Sequence, residues 1–258
     1  MRFAADELSQ DLFLGGALKI LQPKAGYRAG VDPVLLAASV PVIAGEAVLE
    51  LGCGAGVASL CLAARLKDVA LCGVELQAAY ADLARRNADA NGIRMAVHCA
   101  DLRNLPEAVL QQNFDHVIAN PPYYLRNAGT AADDAGRDVA LVEDTPLVDW
   151  IEVATRRLKP KGYLTVIQDA ERLPALLAAI DGRLGNIKVL PLAPRIDRAA
   201  HLVILQARKG GRAAFRLLAP AVMHEGATHD GDRESYTQQI RAVLRDGAAM
   251  PLDDVKAK

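Results

Sequence analysis

The chain has no C-x-x-C pair, and none of Cys53, Cys61, Cys72 and Cys99 has two histidines nearby to complete a zinc set. That pattern speaks against a zinc module, so no metal is expected, and the four thiols are expected to be buried and free in a reducing compartment. Net charge is also nearly absent: 30 Lys and Arg offset 31 Asp and Glu, giving a formal charge of −1 and a pI of about 6.5. The whole-molecule field that draws nucleic acid is thereby excluded, and any basic patch must be local. No stretch approaches the roughly 18 uninterrupted apolar residues of a membrane span. Met1-Arg2-Phe3-Ala4-Ala5-Asp6-Glu7 carries charges where a signal peptide needs apolar residues. A cytoplasmic protein without a membrane partner is expected. Internal repeats and low-complexity tracts are missing as well.

What the chain does have is core-forming material. Its 258 residues are 52% apolar, enough for one domain with additions or for two small domains. Leu18–Gln22 alternates weakly, as a short strand does, and leads into Gly26-Tyr27-Arg28-Ala29-Gly30. Asp32-Pro33 then opens a helix over Val34–Ala38, with Asp32 as N-cap and Pro33 at the first helical position. This passage reads either as a helix packed on the main domain or as a lid over a ligand.

From Ala47 onward, short apolar strands alternate with helical segments, the pattern of a doubly wound, mostly parallel seven-stranded sheet in an α/β fold. The expected strands are Val48–Leu51, Ala70–Glu75, Met95–Ala100, Phe114–Ala119, Tyr163–Gln168, Ile187–Leu192 and His201–Ala207. Helices are expected over Val57–Ala64, Gln77–Ala90, Pro146–Leu158 and Leu173–Ile180. A polar loop from Leu125 to Thr145 is long for a compact domain and suggests a substrate-facing element. The tail adds a strand at Phe215–Leu218 and a helix at Tyr236–Leu244. The corresponding division is an N-terminal strand and lid (1–44), a core (45–210) and a C-terminal extension packed on it (211–258).

The most informative stretch is Asn120-Pro121-Pro122-Tyr123 at the end of Phe114–Ala119. Two prolines lack the ladder N–H, so the strand must end there in a fixed turn. An amide acceptor, an immobile carbonyl and an aromatic face are thus held together at a strand tip, which suits a planar group carrying an NH₂. Taken alone, Asn-Pro reads first as a simple strand-ending turn, and it is the glycine-rich stretch upstream that reverses this. Upstream, Glu50-Leu51-Gly52-Cys53-Gly54-Ala55-Gly56 joins the first strand of the core to its helix. Glycines there let the backbone approach a ligand while free N–H groups face it. A dinucleotide fingerprint would need glycine at 57, where Val57 stands, so the loop suits a ligand without pyrophosphate. Glu75 ends the second core strand and could accept both hydroxyls of a ribose. Asp101 follows the third and could accept from an adenine amine.

The order Glu50-x-Gly52-x-Gly54-x-Gly56, Glu75, Asp101, Asn120-Pro121-Pro122-Tyr123 resembles the class I S-adenosylmethionine-dependent amino-methyltransferases. With Gly26–Pro33 and Tyr124 included, nearly the whole chain resembles the bacterial tRNA(Val) adenine-37 N6-methyltransferase group. The resemblance implies S-adenosylmethionine as cofactor, S-adenosylhomocysteine as product, and tRNA or another RNA as partner. It implies that Gly52, Cys53, Gly54 and Gly56 pass under the methionine and ribose, that Glu50 holds the amino group, and that Glu75 binds the ribose. It places Asp101 on the adenine amine and Leu76 or Leu102 against the ring. Asn120 and the Pro121 carbonyl would bind the target NH₂, Tyr123 would stack on its plane, and Asp32 and Tyr27 would belong to a lid beside the cofactor.

Acceptors rather than a base are what an exocyclic amine needs: they aim its lone pair and stabilise the charge that grows on nitrogen. This agrees with His98, His116, His201, His224 and His229 forming no catalytic set. His116, inside a strand, reads as structural. Arg126, Arg137, Arg195, Arg198, Lys209 and Arg212 could meet an RNA backbone, although Asp133, Asp134 and Asp197 interrupt them. The same Asn-Pro-Pro-Tyr motif occurs in enzymes that methylate guanine or a release-factor glutamine. The latter usually carry a helical domain ahead of the glycine loop, and here Glu50 arrives too early for one. A cofactor-binding protein without catalysis is the third reading, disfavoured by the intact Asn120 and Tyr123.

Overall fold

The structure, a computed structural model, describes residues 2–125, 142–143, 145–226 and 235–252. Alternation along β3 (Ala47–Leu51) shows why a sheet forms: Val48 enters one apolar layer, while Leu49 and Leu51 enter the other. The same two-faced burial continues in β4 (Ala70–Glu75), β6 (Phe114–Ala119), β9 (Leu158–Asp169), β10 (Leu184–Ala193) and β11 (Leu202–Lys209), with β5 (Met95–Cys99) at one edge. Two short strands, β12 (Arg216–Leu217) and β13 (Ala221–Val222), lie beside β10. The order is β12-β10-β11-β9-β6-β3-β4-β5, and β11 alone runs antiparallel to its neighbours. The expected doubly wound, mostly parallel architecture is therefore present. Its nine strands exceed the expected seven because the two short strands extend the β10 edge.

One layer is built by α1 (Asp32–Ser39), α2 (Val57–Arg65), α3 (Ala78–Ala90) and α7 (Gln238–Asp246). The opposite layer is built by α4 (Glu107–Leu110), α5 (Leu147–Arg157) and α6 (Leu173–Ala179). The amphipathic spacing of Trp150, Ile151 and Ala154 turns α5 onto the sheet. Ile240 and Val243 are the buried face of α7, which packs against α1. Among the described residues no helix is long and apolar enough to cross a membrane.

Some local features differ from the sequence reading. Leu8–Phe13 forms β1, paired antiparallel with β2 (Leu18–Pro23), although Ser9, Gln10 and Asp11 gave it no apolar signature. Asp32 is not an N-cap: α1 starts at Asp32 itself, behind Val31, with no side-chain cap. Its carboxylate is engaged elsewhere. Tyr124–Leu125 and Val142–Glu143 pair in parallel as β7 and β8. The rest of the expected long loop, with Arg126, Asp133, Asp134 and Arg137, lies outside the described residues, as does His229.

Candidate active site

Strand order reverses between β3 and β6: β4 and β5 continue on one side, β9 and β11 on the other. In an open α/β sheet, a crevice forms outside the C-terminal strand ends at such a point. Here a cleft opens there, lined by the turn after β3, the ends of β4 and β5, the Asn120–Tyr123 turn after β6, and the Tyr27–Pro33 segment.

The floor is the glycine turn. Gly52 and Gly54 have φ of 64° and 52°, a left-handed backbone that disfavours residues with a Cβ. A Cβ at Gly52 would also lie 2.6 Å from Cη2 of Trp150, so the indole packs directly on the backbone. Gly56 has a packing purpose at the start of α2. It caps α2 with φ 82°, a Cβ there would lie 3.3 Å from that of Ala84, and it does not line the cleft. A bare α-carbon there lets α2 pack closely on α3.

Glu50 and Glu75 are buried at the cleft wall. The Ser59 N–H and hydroxyl both donate to Oε2 of Glu50, which leaves Oε1 for a donor in the cleft. Burial outweighs those bonds and pushes the Glu50 carboxyl up to about 7. Glu75 accepts from Gly54 N at 2.9 Å and from Gln77 N at 2.8 Å, one bond on each oxygen. Its pKa is raised too, by burial. With one lone pair per oxygen already used, the geometry remaining to Glu75 is that of a bidentate acceptor. Asp101 lies at the rim, and its carboxylate is already held by Arg103 through the backbone N–H and guanidinium, the closest contact being 2.7 Å. That hydrogen-bonded pair keeps Asp101 below the usual carboxylate range and occupies most of its acceptor capacity.

At the far end, Oδ1 of Asn120 is buried without a hydrogen-bond partner. A buried acceptor left open is costly, on the order of 1–3 kcal/mol, unless a ligand supplies the donor. The neighbouring carbonyls are braced: Pro121 O accepts from Gln168 Nε2 and Pro122 O from Arg172, each at 3.3 Å. Tyr123 donates its hydroxyl to Asp32 Oδ2 at 2.7 Å, linking the Asn120–Tyr123 turn to α1 across 91 residues. Burial raises the Tyr123 and Asp32 pKa values, so Tyr123 is a neutral donor at physiological pH.

Of the residues singled out from sequence, Asp32, Glu50, Gly52, Cys53, Gly54, Glu75, Leu76, Asp101, Leu102, Asn120, Pro121 and Tyr123 all line the cleft, and Gly56 does not. Leu76 is exposed there, whereas Leu102 is buried beneath the rim. Sequence reasoning missed Trp150, Thr145 and Tyr80. Trp150 donates to Thr145 O at 3.2 Å, and Tyr80 donates to Tyr27 O at 3.0 Å, bracing the Tyr27–Pro33 segment. The available signal for Trp150 was that the chain has one tryptophan, set on the apolar face of its helix.

One further expectation needs correcting, that of four buried thiols, and Lys209, Arg195 and His116 can be placed. Cys99 is exposed, because it sits on an edge strand, while Cys53, Cys61 and Cys72 are buried. Lys209 sits at the end of antiparallel β11, away from the cleft edge, where it donates to the Thr155 and Leu158 carbonyls. Arg195 is on the cleft-side loop after β10 but is tied to Glu225 O and the Ser235 hydroxyl. His116 is buried at the opposite end of the sheet, bonded to Glu46 at 2.8 Å and stacked on Tyr163. Among the described residues no cluster of His, Cys, Asp or Glu could hold a metal.

The chain is similar to known methyltransferases. The model of the methyltransferase small domain family matches residues 29–191. A tRNA1(Val) (adenine(37)-N6)-methyltransferase of Yersinia pseudotuberculosis is 35% identical over 211 residues, covering 78% of this chain and 81% of that protein. The enzyme of the same name from Cronobacter sakazakii is 36% identical over 124 residues, an alignment spanning 47% of this chain and 49% of that one. A solved structure described as a predicted O-methyltransferase, Atu636 of Agrobacterium tumefaciens, superposes with a TM-score of 0.69 at 28% identity. The match covers 85% of this chain and 98% of that one.

Proposed function

This chain belongs to the methyltransferase small domain family, and from that premise we propose that it methylates N6 of an adenine in tRNA with S-adenosylmethionine as methyl donor. The observation that carries the reading is the unpartnered Oδ1 of Asn120, buried at the strand-switch cleft beside a braced proline carbonyl. Such an acceptor pair asks for a group with two N–H donors. A hydroxyl, which offers one, would leave an acceptor open and would need a base to become nucleophilic. The specific choice of tRNA adenine draws on the names of the relatives.

The cleft residues fit the cofactor. Gly52, Cys53 and Gly54 would run under the methionine and ribose, Glu50 Oε1 would take the ammonium, and Glu75 the two ribose hydroxyls. Leu76 would cover the adenine ring, with Leu102 beneath the rim. Asp101 would share its carboxylate between Arg103 and the adenine amine. When bound, S-adenosylmethionine supplies an electrophilic methyl that the amine nitrogen takes as the carbon–sulfur bond breaks. Asn120 Oδ1 and Pro121 O accept the two amine N–H groups and so aim the nitrogen lone pair, which is otherwise conjugated with the base. The same oxygens stabilise positive charge as it grows on nitrogen. That nitrogen becomes acidic and releases its proton without a dedicated base. Tyr123, fixed by Asp32, presents its ring to the turned-out base, and stacking of about 1–3 kcal/mol offsets part of the cost of leaving the helix stack.

The test is transfer of labelled methyl to unmodified tRNA, followed by nucleoside analysis. We expect N6-methyladenosine. Absence of label from a complete tRNA pool, together with label on release-factor glutamine, would overturn the substrate assignment in favour of the protein substrate.

A further inference from the structure

Pro121 poses a structural problem. Its carbonyl must point into the cleft to accept an amine proton, yet proline has no N–H with which to join the sheet ladder. The β6–β9 ladder pairs Ala119 with Val166, and the same register carried forward sets Gln168 beside Pro121. Gln168 is fully buried and does not line the cleft. Its Nε2 reaches Pro121 O at 3.3 Å, while its Oε1 accepts from Asp169 N at 2.8 Å. Both ends of the amide are thus occupied, and the side chain supplies the hydrogen bond that the broken ladder cannot. A carbonyl oxygen has two lone-pair directions, and one taken from behind the wall leaves the other for the cleft.

We propose that Gln168 is a positioning residue for methyl transfer: by donating to Pro121 O from behind, it fixes the direction in which that carbonyl receives the substrate amine. The proposal rests on the reading of Asn120 and Pro121 as the amine acceptors. It holds for any amine-bearing substrate, nucleobase or side-chain amide.

The experiment compares wild type, Gln168→Leu and Gln168→Glu on the acceptor that wild type methylates, tRNA first and release factor second. Cofactor binding is followed in parallel through Trp150 fluorescence, the chain's one tryptophan being packed on Gly52. Leucine has no donor at any pH, so kcat should fall about 100-fold while KM for the cofactor stays within about twofold. Glutamate donates only when protonated. Its activity, as a ratio to wild type at each pH, should therefore climb about tenfold or more from pH 8.5 to pH 6, with the leucine ratio flat. The charged and titratable groups around the turn, Asp169, Asp32, Tyr123, Arg172 and Glu50, are common to wild type and both variants, and the leucine ratio is the control for them. A Gln168→Leu enzyme with wild-type kcat, or a Gln168→Glu ratio that stays flat, would overturn the proposal. Failure of the underlying reading looks different: wild type itself would methylate neither acceptor.

Discussion

Asn120→Ala slows methyl transfer on the order of 10²–10³-fold and leaves the cofactor bound. The substitution removes an Oδ1 that is buried in the cleft wall without a partner among the described residues, so no hydrogen bond to that oxygen is lost from the folded state. Stability should hold or improve slightly, because an unsatisfied buried polar atom is a cost. Turnover should not. In the transition state Oδ1 faces a nitrogen gaining positive charge, and losing one such oriented partner costs on the order of 10²–10³ in kcat. The effect belongs in kcat, since the interaction strengthens only as charge develops. Quenching of Trp150 by the cofactor, measured beside the rate, separates the two: unchanged binding with lost turnover is the expected result. Equal loss of both would make Asn120 a cofactor ligand instead.

Glu50→Gln produces a protein that is more stable and binds its cofactor poorly. Burial pushes the Glu50 carboxyl from 4.5 to about 7 in the folded chain, against the two bonds from Ser59. A carboxyl raised in this way penalises the folded state only where the unfolded chain has ionised. Its cost is therefore absent below about pH 4.5, grows as pH rises, and is complete above pH 7. The full cost is about 3 kcal/mol. Glutamine keeps an oxygen for Ser59 and carries no charge to desolvate, so at pH 8 the free variant should melt about 5–10 °C higher than wild type. At pH 4.5 the difference should vanish. What the charge serves is the cofactor ammonium, and its removal should weaken binding about 100-fold. In wild type, affinity should fall as pH drops below 7, because the carboxyl must then lose a proton to receive the cation. Scanning calorimetry at the two pH values and a fluorescence titration from pH 6 to 8 check both halves. A variant that melts lower at pH 8, or affinity independent of pH, would remove Glu50 from this role.

The residues behind these effects were legible from the sequence to different degrees. Strands buried on both faces announce themselves as short apolar runs, which is why β3, β4, β6 and their helices were legible. The residues at or just beyond their C-terminal ends fell at the cleft because parallel strands end at the same edge. Glu75 and Asn120 belong to that class. Gly56 looked like part of the same ligand loop, but glycine serves close helix packing as readily as ligand approach, and the spacing alone does not separate the uses. Asp32 was misread as a cap because Asp is favoured at the N-cap and Pro at the first helical position, whereas its bond to Tyr123 spans 91 residues and has no local trace. Gln168 escaped for a related reason. A buried glutamine at a strand end is meaningful only once the adjacent strand is known to break at a proline. The hairpin strand Leu8–Phe13 was missed because it exposes Leu12 and carries polar residues on a two-stranded sheet.

The account stands on an amine acceptor and a methyl donor meeting at the strand-switch cleft. A crystal structure with S-adenosylhomocysteine and adenosine tests this most directly. We expect the ribose hydroxyls of the spent cofactor on Glu75, its sulfur facing Asn120, and the adenosine amine hydrogen-bonded to Asn120 Oδ1 and Pro121 O beneath Tyr123. A cofactor seated away from the Gly52–Gly54 turn, or an adenosine amine turned away from those two oxygens, would contradict it.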